Sequence, residues 1–152
     1  MKRKFILPPT CQKVVMKTDP KINEDIRNQT LSSLKIFKNC NEPEITQRIS
    51  QLNQEWDTER VLQVNASLLL LLSSYMGVRM SRAWFLVTGA VAGFMIQHAL
   101  QGWCPILPLI RKWGVRTADE IYAEKTALKI IRGDFNGESP NPEDALAKAE
   151  KQ

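Results

Sequence analysis

The sequence predicts an all-α fold: a transmembrane helical hairpin of two spans, flanked by cytoplasmic amphipathic helices. Three observations predict it. The first is where charge is missing. Of the 21 Lys and Arg and 16 Asp and Glu, 11 and 8 fall in residues 1–60 and 8 and 8 in 111–152, and the fifty residues between hold only Arg79 and Arg82. The second is that all four tryptophans, Trp56, Trp84, Trp103 and Trp113, stand at the ends of the apolar stretches. Trp is enriched at this level because its amphipathic ring prefers the membrane–water interface. The third is the connection Arg79-Met80-Ser81-Arg82, too short to join anything but antiparallel neighbours. A composition of 43% hydrophobic and 24% charged residues would suit an ordinary soluble chain. Its uneven distribution excludes plain disorder, a disulfide-rich secreted domain and a uniformly basic nucleic-acid binder.

Residues 1–57 read as a cytoplasmic helical segment. Lys2, Arg3 and Lys4 make a basic start, but the apolar run Phe5-Ile6-Leu7 stops at Pro8 and Pro9, far short of a signal-peptide core. Asp19 before Pro20 is an N-cap with proline at the first helical position, and Ile22, Ile26, Leu34 and Phe37 recur on one face of a helix reaching about Lys38. Asn41, Pro43 and Glu44 signal a second start, after which Ile45, Ile49, Leu52 and Trp56 follow at spacings of four, three and four. Nothing obvious breaks this helix between Trp56 and Val61, so it is expected to run straight into the first span.

Residues 58–116 form the membrane domain. Between Arg60 and Arg79 lie 18 uncharged residues, roughly 27 Å as a helix, against a hydrocarbon core of roughly 30 Å. The 28 residues between Arg82 and Arg111 are too long for one upright span, and Gly102, Pro105 and Pro108 end the second helix near Gly102. The competing reading is a buried hairpin in a soluble protein, which seldom runs apolar on every face for so long. Two basic residues in the loop face five on the flanks, Arg48, Arg60, Arg111, Lys112 and Arg116, which puts both termini in the cytoplasm. Residues 117–152 return to that side. Thr117 to Glu120 makes a capping box, Ile121, Leu128 and Ile131 an apolar face, and Glu124, Lys125 and Lys129 a polar one, up to Gly133. Such a helix either lies on the membrane or docks on the cytoplasmic helices. The remainder reads as a linker and a short terminal helix.

Folding the hairpin about the middle of its loop brings Gln63, Asn65 and Ser67 level with Gln97, His98 and Gln101, with Cys104 just beyond. This polar membrane layer has two readings. Its side chains hydrogen-bond between helices, as polar groups in membrane bundles commonly do. Alternatively His98 shuttles a proton or binds a metal or anion, and Cys104 carries a persulfide or is oxidised; these two are the only catalytic candidates. Cys11, Cys40 and Cys104 have no metal-ligand spacing, and a reducing cytoplasm disfavours a disulfide. No metal or cofactor is expected. Gly89 and Gly93 form a GxxxG helix–helix interface that serves either the hairpin itself or a homodimer, and a thin two-helix bundle favours the dimer. Walker A, GxGxxG, GxSxG and HExxH sequences are all absent, which points away from an enzyme. The net charge of +5 suits anionic lipid better than nucleic acid. The expected partners are the bilayer, a second copy of the chain, and another membrane or cytoplasmic protein met through the flanking helices.

At Gly102-Trp103-Cys104-Pro105, after two glycine-containing apolar helices joined by a tight turn, the chain resembles a small bacterial inner-membrane family of unknown function. That family also supplies the membrane domain of YgaP-type rhodaneses. The resemblance covers about residues 58–116, with Gly114 matching a glycine beyond the motif, and Arg132-Gly133-Asp134-Phe135 is similar to the end of longer members. It implies a multi-pass protein of the bacterial inner membrane, dimeric, with no established reaction. Rhodanese chemistry does not carry over, because neither Cys11 nor Cys40 sits in a six-residue loop closed by basic residues within an α/β domain. The sequence thus supports an oligomeric scaffold or accessory membrane subunit. The alternatives are a sulfur- or redox-handling module using Cys104 with His98, and a small-anion permease that only an oligomer could form.

Overall fold

The structure, a computed structural model, describes residues 7–135. Every regular element among them is helical: a 3-10 turn at Val15–Lys17, then α1 (Pro20–Phe37), α2 (Glu42–Gln54), α3 (Thr58–Arg79), α4 (Trp84–Gln101), α5 (Leu107–Lys112) and α6 (Ala118–Arg132). The linker and terminal helix expected beyond Phe135, and the basic start, lie outside the described residues. The chain divides into two compact units, one made of Met1–Glu24 with Trp56–Thr117 and the other of Asp25–Glu55 with Ala118–Gln152.

In the first unit α3 and α4 pack side by side through the turn at Met80–Ala83. At about 1.5 Å per residue, the 22 residues of α3 and the 18 of α4 reach about 33 and 27 Å. Their contact uses small and polar residues. A Cβ on the buried Gly77 would come within 3.0 Å of the Phe85 ring, and Ser73 Oγ lies 2.8 Å from Thr88 Oγ1, a hydrogen bond between the helices. The helix that length and composition single out as able to cross a membrane is Glu42–Arg79, and only 17% of its apolar window is buried, unlike the core helix of a soluble protein. That range combines two helices. Glu55 is extended, and the Asp57 carboxylate accepts from the Arg60 amide at 2.8 Å, so α3 has its own N-cap and its own start. The expectation of one unbroken helix from α2 into the span is therefore corrected: a polar Asp-Thr start outweighs the absence of Pro or Gly. The start of α3 is clamped further. Thr58 donates its amide and hydroxyl to the Arg116 carbonyl, at 2.8 and 2.9 Å, tying α3 to the segment after α5.

In the second unit α2 and α6 pack together, with Ile45, Ile49, Leu52, Ile121 and Leu128 as the buried core and Leu34, Phe37 and Cys40 against it. The Asn41–Glu44 capping box starts α2, and Gly133 ends α6 in the left-handed region at φ 89°. The sequence places Glu124 and Lys129 on a polar face, yet both are buried. Ser33 Oγ donates to Glu124 Oε1 at 2.7 Å, and Arg48 holds the same oxygen through Nε and Nη2 at 3.2 and 3.0 Å, so the carboxylate is satisfied inside. Ile131, counted on the apolar face, is exposed. Docking on α2, not lying free, is how α6 covers its apolar side.

Candidate functional site

The chemically distinctive place is the end of the hairpin where α3 begins and α4 stops. Gly102 closes α4 at φ 73°, its amide bonding the His98 carbonyl at 2.8 Å, and a Cβ there would collide with the Lys13 carbonyl. The backbone of the N-terminal segment therefore runs directly over this glycine. Val14 enters the buried cluster of Leu62, Cys104, Leu107 and Ile110, and the prolines at 105 and 108 turn the chain into α5. Thr18 and Asn23 secure the segment by donating to the Val14 and Val15 carbonyls at 2.8 and 2.9 Å. Arg111, fully buried, donates to the Val115 carbonyl and to Asn23 Oδ1, each at 3.0 Å, joining α5 to the same segment.

Under this cover His98 is 2% exposed. Its Nε2 lies 3.1 Å from Glu59 Oε2, and the other oxygen of Glu59 lies 3.2 Å from Lys13 Nζ. A carboxylate can only accept, so Nε2 carries a hydrogen and donates it to Glu59. Nδ1 has no hydrogen-bond partner, and the Cys104 thiol lies close enough to the ring to interact with it. Cys104 in turn lines an apolar cavity of about 240 Å³ between α3 and α4, whose walls include Leu62, Leu69, Phe94 and Met95, with Asn65 its one amide. A thiol, an imidazole and a carboxylate in this order form the nucleophile, base and orienting group of general nucleophilic chemistry.

Of the expected polar layer, the structure buries only His98. Gln63, Asn65, Ser67 and Gln101 are exposed and Gln97 half-buried. Asn65 Nδ2 donates to the Val61 carbonyl of its own helix at 2.7 Å, not across to α4. A second cross-helix hydrogen bond, besides Glu59–His98, is Ser73–Thr88, nearer the loop, which the sequence reading did not single out. Nor did it single out Glu59 or Lys13. Glu59 had a signal, being one helical turn before Gln63, the residue that hairpin folding sets opposite His98; Lys13 had none. Gly89 and Gly93 have nothing within 4 Å of where a Cβ would stand, so the hairpin itself does not use them. Trp56, Trp84 and Trp113 are exposed and Trp103 half-buried, and Trp56 carries the Arg60 guanidinium at 5.1 Å from its ring. Cys11 is exposed. The Cys40 thiol, which donates to the Ile36 carbonyl at 3.4 Å, has its pKa raised by desolvation and by Glu44.

Residues 57–119, less than half of the chain, match the model of a family described as inner membrane protein YgaP-like, transmembrane domain. The matched segment holds Glu59, His98 and the Gly-Trp-Cys-Pro element, whereas Lys13 lies outside it. No curated protein and no solved structure matches the chain.

Proposed function

We propose, starting from the similarity of residues 57–119 to the YgaP-like transmembrane domain, that this is a two-span protein of the bacterial inner membrane acting as an oligomeric scaffold or accessory subunit. In this reading α3 and α4 both cross the bilayer, the Met80–Ala83 turn faces outward and both termini are cytoplasmic. The observation that carries it is the bare apolar surface of the hairpin, with Leu68, Leu71, Leu72, Leu86 and Ile96 all exposed. The open face at Gly89 and Gly93 favours a homodimer, because small residues let helix backbones approach closely in lipid. The α2–α6 unit would then be what the hairpin holds at the membrane.

In a variant free of Cys11, Cys40 and Cys104, a cysteine at Ser81 should react with a membrane-impermeant maleimide on intact cells, and one at the exposed Lys112 only after lysis. Labelling of both, or of neither, before lysis overturns the hairpin topology. Gly89→Leu should lower the native mass in detergent from dimer to monomer; an unchanged mass removes this face as the contact.

A second reading, a sulfur- or redox-handling module, is favoured by His98 lying between Glu59 and Cys104. Cys104→Ser should abolish its thiol chemistry and leave assembly intact. Glu59→Gln should shift the pH profile of Cys104 alkylation, which a merely structural Glu59 would not do.

A further inference from the structure

The segment that covers His98 and Cys104 is fastened at one end and lightly held at the other. Its fixed end is the 3-10 turn, where Asn23 donates to the Val15 carbonyl at 2.9 Å and accepts from the fully buried Arg111 at 3.0 Å. Before that turn, Val14 is the one side chain of residues 7–14 that is buried. These residues grip the hairpin through Val14 in the cluster of Leu62, Cys104, Leu107 and Ile110, through the Lys13 carbonyl over Gly102, and through the ion pair of Lys13 Nζ with Glu59 Oε1 at 3.2 Å. The Thr18 hydroxyl, bonded to the Val14 carbonyl at 2.8 Å, adds a local tie. A segment with one buried apolar side chain and a partly exposed ion pair opens more readily than the helices it lies on. Closure also leaves Nδ1 of His98 buried without a hydrogen-bond partner, a state that water relieves when the segment lifts.

We propose that residues 7–14 are a lid pivoting on the 3-10 turn at Val15–Lys17, which when closed withholds His98 and Cys104 from water and when open admits water-borne reactants to them. Glu59 is its latch. One carboxylate oxygen holds Lys13 of the lid and the other holds His98 Nε2, so a single charge both fastens the lid and orients the ring beneath it. Opening unseats Val14, lifts the Lys13 carbonyl from Gly102 and parts Lys13 from Glu59, while Asn23 and Arg111 keep the pivot in place. Because all these groups belong to one compact unit, the lid stands apart from both the membrane reading and the thiol reading, and Cys104 serves only as its reporter.

In the full-length protein with Cys11 and Cys40 replaced by serine, held in lipid nanodiscs, Cys104 would be alkylated with a sulfonated maleimide, which arrives from water and not through lipid. The parent is expected to react at least about 100-fold more slowly than the denatured chain. Val14→Ala should speed alkylation about tenfold, because it shrinks the lid's one apolar anchor. Lys13→Gln, which opens the latch, should speed it about threefold. Loss of a cation by itself slows an anionic reagent, so Lys112→Gln, at an exposed cation of the same unit, should react no faster than the parent. Hydrogen exchange on the same samples should rise in residues 7–14 of Val14→Ala and stay unchanged in α4. The lid is overturned if the parent alkylates as fast as the denatured chain, or if Val14→Ala or Lys13→Gln leaves the rate at the parent's. It is equally overturned if exchange in α4 rises together with that of residues 7–14, since the variant would then have loosened the whole unit.

Discussion

Leu128 in the α2–α6 unit is wholly buried, whereas Leu71 and Leu86 in the hairpin stand 69% and 76% exposed. Charge runs the opposite way. The α2–α6 unit buries Glu124 among Ser33 and Arg48, and the hairpin keeps charge to its ends. One unit follows the logic of water, in which apolar side chains withdraw and a buried carboxylate must find partners. The other, if it lies in the bilayer as proposed, follows the logic of a hydrocarbon solvent, where apolar side chains face outward and small or hydroxylated residues make the internal contacts. Helices in the two units thus carry their apolar residues in opposite distributions.

The sharpest way to break this comparison is to place a charge on the bare face. Leu71→Arg should cost about 3 kcal/mol of membrane stability if α3 lies mid-bilayer, read as loss of membrane-fraction yield, against about 0.5 kcal/mol or less on a water-facing surface. A yield equal to the parent's would return the hairpin to water. Next in size is Glu124→Gln in the α2–α6 unit. It removes the charge that Arg48 and Ser33 hold and should destabilise the unit by about 2 kcal/mol, seen as a lower urea midpoint. The smallest effect is expected at Ser73→Ala, which deletes the hydrogen bond to Thr88. Polar contacts between membrane helices average about 0.6 kcal/mol, so the variant should assemble normally and unfold only slightly earlier in denaturing detergent.

Local chemistry made most of the helix boundaries legible. Asp19-Pro20, the Asn41–Glu44 box, Gly102 and Gly133 each act within a few residues, and each marks an observed terminus. The break at Glu55–Asp57 was less visible because aspartate as an N-cap competes with helix continuation and neither Pro nor Gly forces the outcome. The burial of Glu124 was written in its spacing, three residues after Ile121 and four before Leu128, but its polarity argued for solvent until Arg48 was in place. The Glu59–His98 pair depends on the register of two helices whose partners are 39 residues apart, and hydropathy carries no such information. Lys13 is harder still. Its seat depends on the path of an irregular segment, which neither of the two periodicities describes.

The seat at Gly102 also sets an order of events during synthesis. The glycine under the Lys13 carbonyl is made roughly 90 residues after Lys13 itself, about 5 to 20 seconds at ordinary elongation rates. Throughout that interval Val14 has neither Cys104 nor Leu107 to pack on. The segment around Lys13 is therefore translated well before the surface on which it packs. Its closure over His98 and Cys104 reports that both helices of the hairpin have already formed.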